Sequence, residues 1–453
     1  MADPPPAAGP ESTLRSRAFV VVLVLAALVG VIASLAAWCF LELVFYMQQW
    51  VFTDIPKDLG FDHGAPLWWY LPVLAFAGLV AAFAIARLPG NGGHVPANGL
   101  SASPIQPIDI PGVLLAAIAS IGLGLVVGPE APLIALGGGL GFLTIRSIRR
   151  DAPPELGTLL ASSGTFAAVS FLFGSPLIAA VILIEAAGLG GSRLPLVLIP
   201  GLLAAGIGSL VSIGMGSITG LSTADISLSP VQLPDFARPD LVDFLWTIPF
   251  AAAIAVVTYA IFRLGRETHR IAAPRPFIVL PAAGLLVAGL GIAFSQTTDH
   301  GVDQVLFSGQ SALGPLVENP GAWSLGALAL VIVFKGLAYG ISVGTFRGGP
   351  TFPAMFLGAA AGLMAARLPG YDLTPAVAVG LGAGVVSVLR LPLSAVVLAT
   401  LFTVHTGLGS GPLIIVGVVV AYLTVQALPM PVDSGKPPED GPGAAPASEP
   451  ATV

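Results

Sequence analysis

The sequence predicts an all-α polytopic membrane protein, and three observations carry that prediction. Hydrophobic residues make up 55% of the 453-residue chain and charged residues only 9%, where soluble domains carry about 25% charged residues. Apolar runs follow one another along nearly the whole length, and mean hydropathy is +0.92. One carboxylate, Glu130, stands inside a stretch that is otherwise apolar, glycine or proline, residues 122–133. A carboxylate in hydrocarbon costs several kcal/mol unless it is neutralised, paired or facing water. Gly128 and Pro129 break the preceding apolar run, and proline is well tolerated where a new helix begins. A helix restarting here turns free N–H groups and a positive dipole end toward the glutamate, or toward an anion in its place. Broken helices at membrane depth belong to transport proteins.

The elements follow in order. Residues 1–16 form a Pro/Ala-rich tail expected to be disordered, with Arg15 and Arg17 at the edge of an apolar run over 19–46 broken only by Glu42. That run is too long for a signal-peptide core of about 7–15 residues and reads as a tilted span. Trp50, Trp68, Trp69 and Tyr70 mark an interfacial loop before a second span that ends near residue 86. A glycine- and proline-rich link over 91–112 contains Gly92, Gly93, His94, Val95 and Pro96. Apolar segments then cover about 111–127, 131–145, 157–172, 175–190, 195–216, 241–264, 276–295, 322–341, 350–367, 372–389, 391–405 and 412–428. Several fall short of the ~20 residues that cross a bilayer, so some are expected to stop within the membrane. A second disordered tail is expected over 430–453. The transmembrane domain is thus placed at 17–429, in halves of about 17–216 and 241–429.

Composition also excludes function classes. A net charge of −6 without a dense basic patch argues against nucleic acid. Cys39 is the single cysteine, so neither an intramolecular disulfide nor a cysteine metal site is expected, and no cofactor is. Three basic clusters, at Arg15/Arg17, at Arg146/Arg149/Arg150 and at Arg263/Arg266/Arg270/Arg275, place those connections in the cytoplasm. Both termini are expected there too, in a multi-pass protein of the cell membrane.

The chain also echoes itself. A glycine-rich helix followed by a Pro-Leu restart occurs at 164–184 and again at 382–401. Upstream stand two glycine–proline elements, Gly-Pro-Glu-Ala-Pro at 128–132 and Gly-Gly-Pro-Thr-Phe-Pro at 348–353. Two structural repeats meeting at a midplane site is a transporter architecture.

Those two elements, with the helix ending at Ile184-Glu185 and the Gly-Gly-His-Val-Pro of 92–96, resemble the CLC family of chloride channels and proton/chloride antiporters. The resemblance runs from about residue 20 to 428. It implies an inverted repeat of tilted and broken helices, with one pore in each subunit of a homodimer. It implies that Glu130 is the gating group and proton acceptor. By the same resemblance the anion is held at Gly93, His94, Gly128, Pro129, Ala131, Gly349, Thr351 and Phe352, largely through backbone N–H groups. The expected partners are chloride or similar small anions, protons and the lipid bilayer.

Four departures bear on mechanism. Gly93 stands where the family has a serine, Pro129 replaces a basic residue, and Ala186 occupies the position of the inner proton glutamate. The helix that supplies a central tyrosine is missing before the chain turns polar near Leu428. The expectation is therefore chloride-type anion transport through a glutamate-gated pathway, channel-like or weakly proton-coupled. The alternatives are a proton/chloride antiporter, a carrier of small organic anions, and an intramembrane enzyme using Glu130 as acid/base. The last lacks a companion nucleophile or metal motif. Glu185 reads as structural, Lys335 either snorkels or adds positive potential, and Arg347 either caps a helix or draws anions.

Overall fold

The computed structural model describes residues 14–429 except 63, 100–104, 189–190, 192–193, 220–229 and 408. All but residues 14–16 of the two expected tails therefore lies outside the described residues. Helices α1 (Arg17–Gln49), α2 (Tyr70–Arg87), α3 (Ile110–Ala117), α4 (Glu130–Ile148), α5 (Pro154–Phe173), α6 (Pro176–Ala186) and α7 (Leu194–Thr219) make up the first half. Helices α8 (Leu241–Ala272), α9 (Pro276–Thr297), α10 (Gln310–Glu318), α11 (Leu325–Thr345), α12 (Thr351–Ala365), α13 (Leu373–Leu389), α14 (Pro392–Phe402) and α15 (Gly411–Ala427) follow.

Local chemistry sets several of these boundaries. Ser16 caps α1 by accepting the Phe19 N–H, and α1 then runs 33 residues, about 50 Å at the usual rise. A helix that long must tilt to fit a hydrocarbon core of about 30 Å. Asp240 and Asp243 form a reciprocal capping box at the start of α8. Pro154, Pro176, Pro276 and Pro392 each open a helix, where the missing N–H costs nothing.

Eight helical stretches are long and apolar enough to cross a membrane, among the described residues. The shorter apolar stretches are Pro107–Gly122, which contains α3, and α6, α12, α13, α14 and α15. Helix α12 has 15 residues and α13 has 17, and both are almost entirely buried by their neighbours. One short helix, α10, falls in a stretch where no element was expected.

Glycine lets the paired helices in each half touch. A Cβ added at Gly137 or Gly164 would run into the other's carbonyl, which locks α4 against α5. The same reciprocal contact joins Gly358 of α12 and Gly380 of α13. Close backbone approach through small residues is how helices associate where lipid removes the hydrophobic drive. These two pairs follow the two glycine–proline elements, so the sequence echo has a spatial counterpart.

Candidate functional site

Each half contains a helix that stops inside the protein and restarts. Helix α3 ends in a π-turn over 118–122, and the chain runs non-helically to the restart at Glu130. Helix α11 ends at Thr345, and α12 begins at Thr351. The two restarts are tied together by an isolated antiparallel bridge. Gly128 N–H donates to the Gly349 carbonyl (2.7 Å) and Gly349 N–H donates back to Gly128 (2.5 Å). The N-termini of α4 and α12, each a partial positive charge, are thereby held side by side.

Glu130 sits at that junction as the first residue of α4. Its Oε1 accepts the backbone N–H of Thr351, and the Phe352 N–H stands next to the same carboxylate. The side chain is only 2% exposed. Its Oε2 is buried and has no hydrogen-bond partner, which costs on the order of 1–3 kcal/mol. The carboxylate has room only because both bridge residues lack a Cβ. One at Gly349 would land on the Glu130 carboxyl carbon, and one at Gly128 on Oε2.

The geometry changes what the expected anion-binding residues can contribute. The N–H groups of Gly128 and Gly349 are occupied by each other's carbonyls, so these residues give space and not donors. Thr351 and Phe352 lie buried at the start of α12. The Phe352 ring stacks on Phe173 at 5.7 Å and 7°. Pro129 lines one cavity, of about 370 Å³, with Gln48, Phe52, Phe307 and Gln310. Ala131 lines another, of about 310 Å³, with Gly93, His94, Asp109, Arg347 and Gly348. The two neighbours of Glu130 thus belong to different cavities. Gly93 has φ +93°, a conformation that side chains rarely adopt.

Several residues that shape the site were not expected from sequence. Ser120 accepts the Arg347 N–H (3.2 Å) while donating to Ala116 (2.7 Å). Ser342 accepts the Val126 N–H, and Tyr339 donates to the Pro350 carbonyl. Each crosses from a helix to one of the two restart links, and nothing in the spacing of single serines or tyrosines signals such a contact.

Two other charged residues are resolved. Lys335 does not snorkel: it is fully buried. Its ammonium donates to the carbonyls of Gln304, Val305, Leu306 and Phe307 at 3.1–3.3 Å and lies 4.5 Å from the centre of the Phe356 ring. Four carbonyls and an aromatic face satisfy an ammonium better than a partial reach to the interface could. Glu185 bridges the two halves. It accepts the N–H groups of Leu393 (2.9 Å) and Ser394 (2.7 Å) and the Ser394 hydroxyl (2.6 Å), capping α14 of the opposite half.

A family model described as voltage gated chloride channel matches residues 77–426. The chain belongs to the voltage-gated chloride channel (CLC) family. Its function is accordingly CLC-type anion transport, and it is a multi-pass membrane protein. Relatives named as an ion-transport protein, YfeO, are 29% identical to it. The one from Salmonella schwarzengrund (strain CVM19633) aligns over 351 residues, 76% of this chain and 80% of the relative. That from Escherichia coli (strain K12 / DH10B) aligns over 355 residues, 76% and 78%. A slow cyanobacterial Cl⁻/H⁺ antiporter has the same fold, with a TM-score of 0.73 at 21% identity, over 90% of this chain and 94% of that one. A CLC-type fluoride/proton antiporter follows at 0.67 and 18%, over 89% and 95%. The CLC arrangement of tilted and broken helices is therefore the fold of this chain.

Proposed function

We propose that this protein moves chloride or similar small inorganic anions across the cell membrane through the Glu130 junction, with Glu130 as the gate. The observation that carries the reading is the hydrogen bond from the Thr351 N–H to the Glu130 carboxylate. A negative group already sits where two helix N-termini converge, and an entering anion can take the same donor. Glu130 in its charged form blocks the path by occupying it. Protonated or displaced, it leaves the N–H groups of Thr351 and Phe352 to the anion. Partial charges hold a halide weakly enough for it to leave again.

The two cavities supply approaches. The N-terminal part of α1 packs beside Ala152 and Leu156, just after the Arg146–Arg150 cluster, whereas Gln48 and Gln49 at its other end line the Pro129 cavity. That cavity therefore opens away from the basic connections, to the outside if the basic ends and both termini are cytoplasmic. The cavity at Ala131 then serves the inner side. A homodimer with one path in each subunit is the assembly that we place on this fold.

Proton coupling is weak or absent in this reading. Ala186 cannot carry a proton, and the carboxylate of Glu185 is committed to the α14 cap. Exchange is the second reading, favoured by the antiport named for two proteins of the same fold. Proteoliposomes with a chloride gradient, clamped potential and an internal pH probe separate the two. Chloride flux without uphill proton movement is expected. Proton movement at a fixed anion-to-proton ratio would make the protein an exchanger, and no anion flux at all would sink both readings.

A further inference from the structure

Two cations, Lys335 and Arg347, are buried among the described residues, and their surroundings differ. The Lys335 ammonium is saturated by its four carbonyls. Arg347 is 6% exposed in the link between α11 and α12. Its Nε donates to the Asn91 carbonyl (3.4 Å) and its Nη1 to the Phe346 carbonyl (3.2 Å), which uses two of the five N–H donors of a guanidinium. No carboxylate pairs with it: the salt bridge among the described residues joins Arg270 and Glu267. Burying an uncompensated charge costs several kcal/mol, so a site that keeps one normally receives a counterion.

The cavity at Ala131 is where such a counterion fits. Arg347 lines it with Gly93, His94, Asp109, Ala131 and Gly348. Asp109 is the one carboxylate on that wall and lies beyond ion-pairing distance of the guanidinium. Gly92, on the same wall, contributes no side chain; a Cβ there would come within 3.3 Å of the Arg347 Cγ, so its absence leaves space beside the arginine. The cavity reaches Ala131, the residue next to Glu130, so an anion here is one step from the gate.

We infer that Arg347 is an anion-binding residue of this cavity, with the transported anion as its counterion. The inference rests on the proposed path through Glu130 and adds a ligand preference to it. A guanidinium is a planar fork that binds planar oxoanions through two parallel hydrogen bonds, which a spherical halide cannot match. The preferred class is therefore small monovalent planar oxoanions such as nitrate or formate, ahead of chloride.

The test compares the full-length wild type with Arg347→Gln and Arg347→Lys. Calorimetric titration in detergent with nitrate and with chloride is combined with efflux of each anion from proteoliposomes. Wild type is expected to favour nitrate. Arg347→Gln should weaken binding of both anions by about tenfold, the scale of one hydrogen bond to a charged group. Arg347→Lys keeps the charge and should retain chloride affinity more nearly while losing the nitrate preference. Affinities and nitrate-to-chloride ratios unchanged in Arg347→Gln would overturn the inference. Should that variant lose its monodisperse profile, Arg347→Lys decides, since a nitrate preference kept without the planar fork overturns it equally. Wild type that moves neither anion refutes the pathway itself; wild-type flux indifferent to Arg347 refutes only the assignment of this residue.

Discussion

The Glu130 carboxylate takes its hydrogen bond from the Thr351 N–H, 221 residues further along the chain. One half of the protein supplies the negative group and the other supplies the helix end that holds it. Neither half alone forms this junction, because each has only one of the two restarts. The reciprocal Gly128–Gly349 bridge sets the register between them.

Replacing Glu130 should separate gating from conduction. Protonation removes the competitor for the Thr351 N–H, so wild-type flux is expected to rise as pH falls. Glu130→Gln and Glu130→Ala are uncharged throughout and should conduct anions with little pH dependence. A variant that keeps the wild-type pH profile in liposome efflux would show that another group gates the path.

Gly349→Ala should act through Glu130. The added methyl meets the carboxyl carbon, and overpacking of this kind costs about 1–3 kcal/mol. A lower thermal midpoint and a flattened pH profile are expected. Adding Glu130→Ala removes the collision, so the double variant should recover stability relative to Gly349→Ala alone. Simple addition of the two penalties would mean that the residues do not meet.

Gly93→Ser tests the anion preference of the cavity. A hydroxyl there offers chloride a donor at close range and should shift flux ratios toward chloride over nitrate. The positive φ makes the change costly, on the order of 1–3 kcal/mol, and a Cβ would press on Val113 at 3.2 Å. Lower thermal stability should accompany the shift. Unchanged ratios in a folded variant would argue that Gly93 does not meet the anion.

Lys335→Met should be among the most destabilising single changes. It leaves four inward carbonyls without their cation, and losing one partner of a buried charged network typically costs about 3–5 kcal/mol. Thermal unfolding in detergent gives the value, and Lys335→Arg should recover part of it. A loss under 1 kcal/mol would show the carbonyls to be satisfied by other means.

Glu185→Gln bears on coupling. It removes the charge from the α14 cap, worth about 1 kcal/mol, and should lower the thermal midpoint without changing any proton movement. If proton flux accompanied chloride in the wild type and vanished in this variant, Glu185 would be a proton carrier and the capping role secondary.

Much of the chain was legible because bilayer insertion is a local demand. Hydropathy and proline placement put spans near 276–295 and 372–389, against α9 at Pro276–Thr297 and α13 at Leu373–Leu389. The Gly128-Pro129-Glu130 sequence marked a helix restart beside a carboxylate, because a proline that breaks an apolar run is tolerated where a new helix opens; the helix begins at Glu130, with Pro129 just outside it. Helix α10 was missed because its polar, proline-containing stretch has no such signature. What only the tertiary structure decided are the partners: Thr351 for Glu130, the mutual pairing of Gly128 and Gly349, the carbonyl cage of Lys335, the α14 cap by Glu185, and the cavity beside Arg347. A buried polar group must find a partner, but which one depends on how segments from 28 to 221 residues apart pack. Spacing along the chain carries no record of that distance in space.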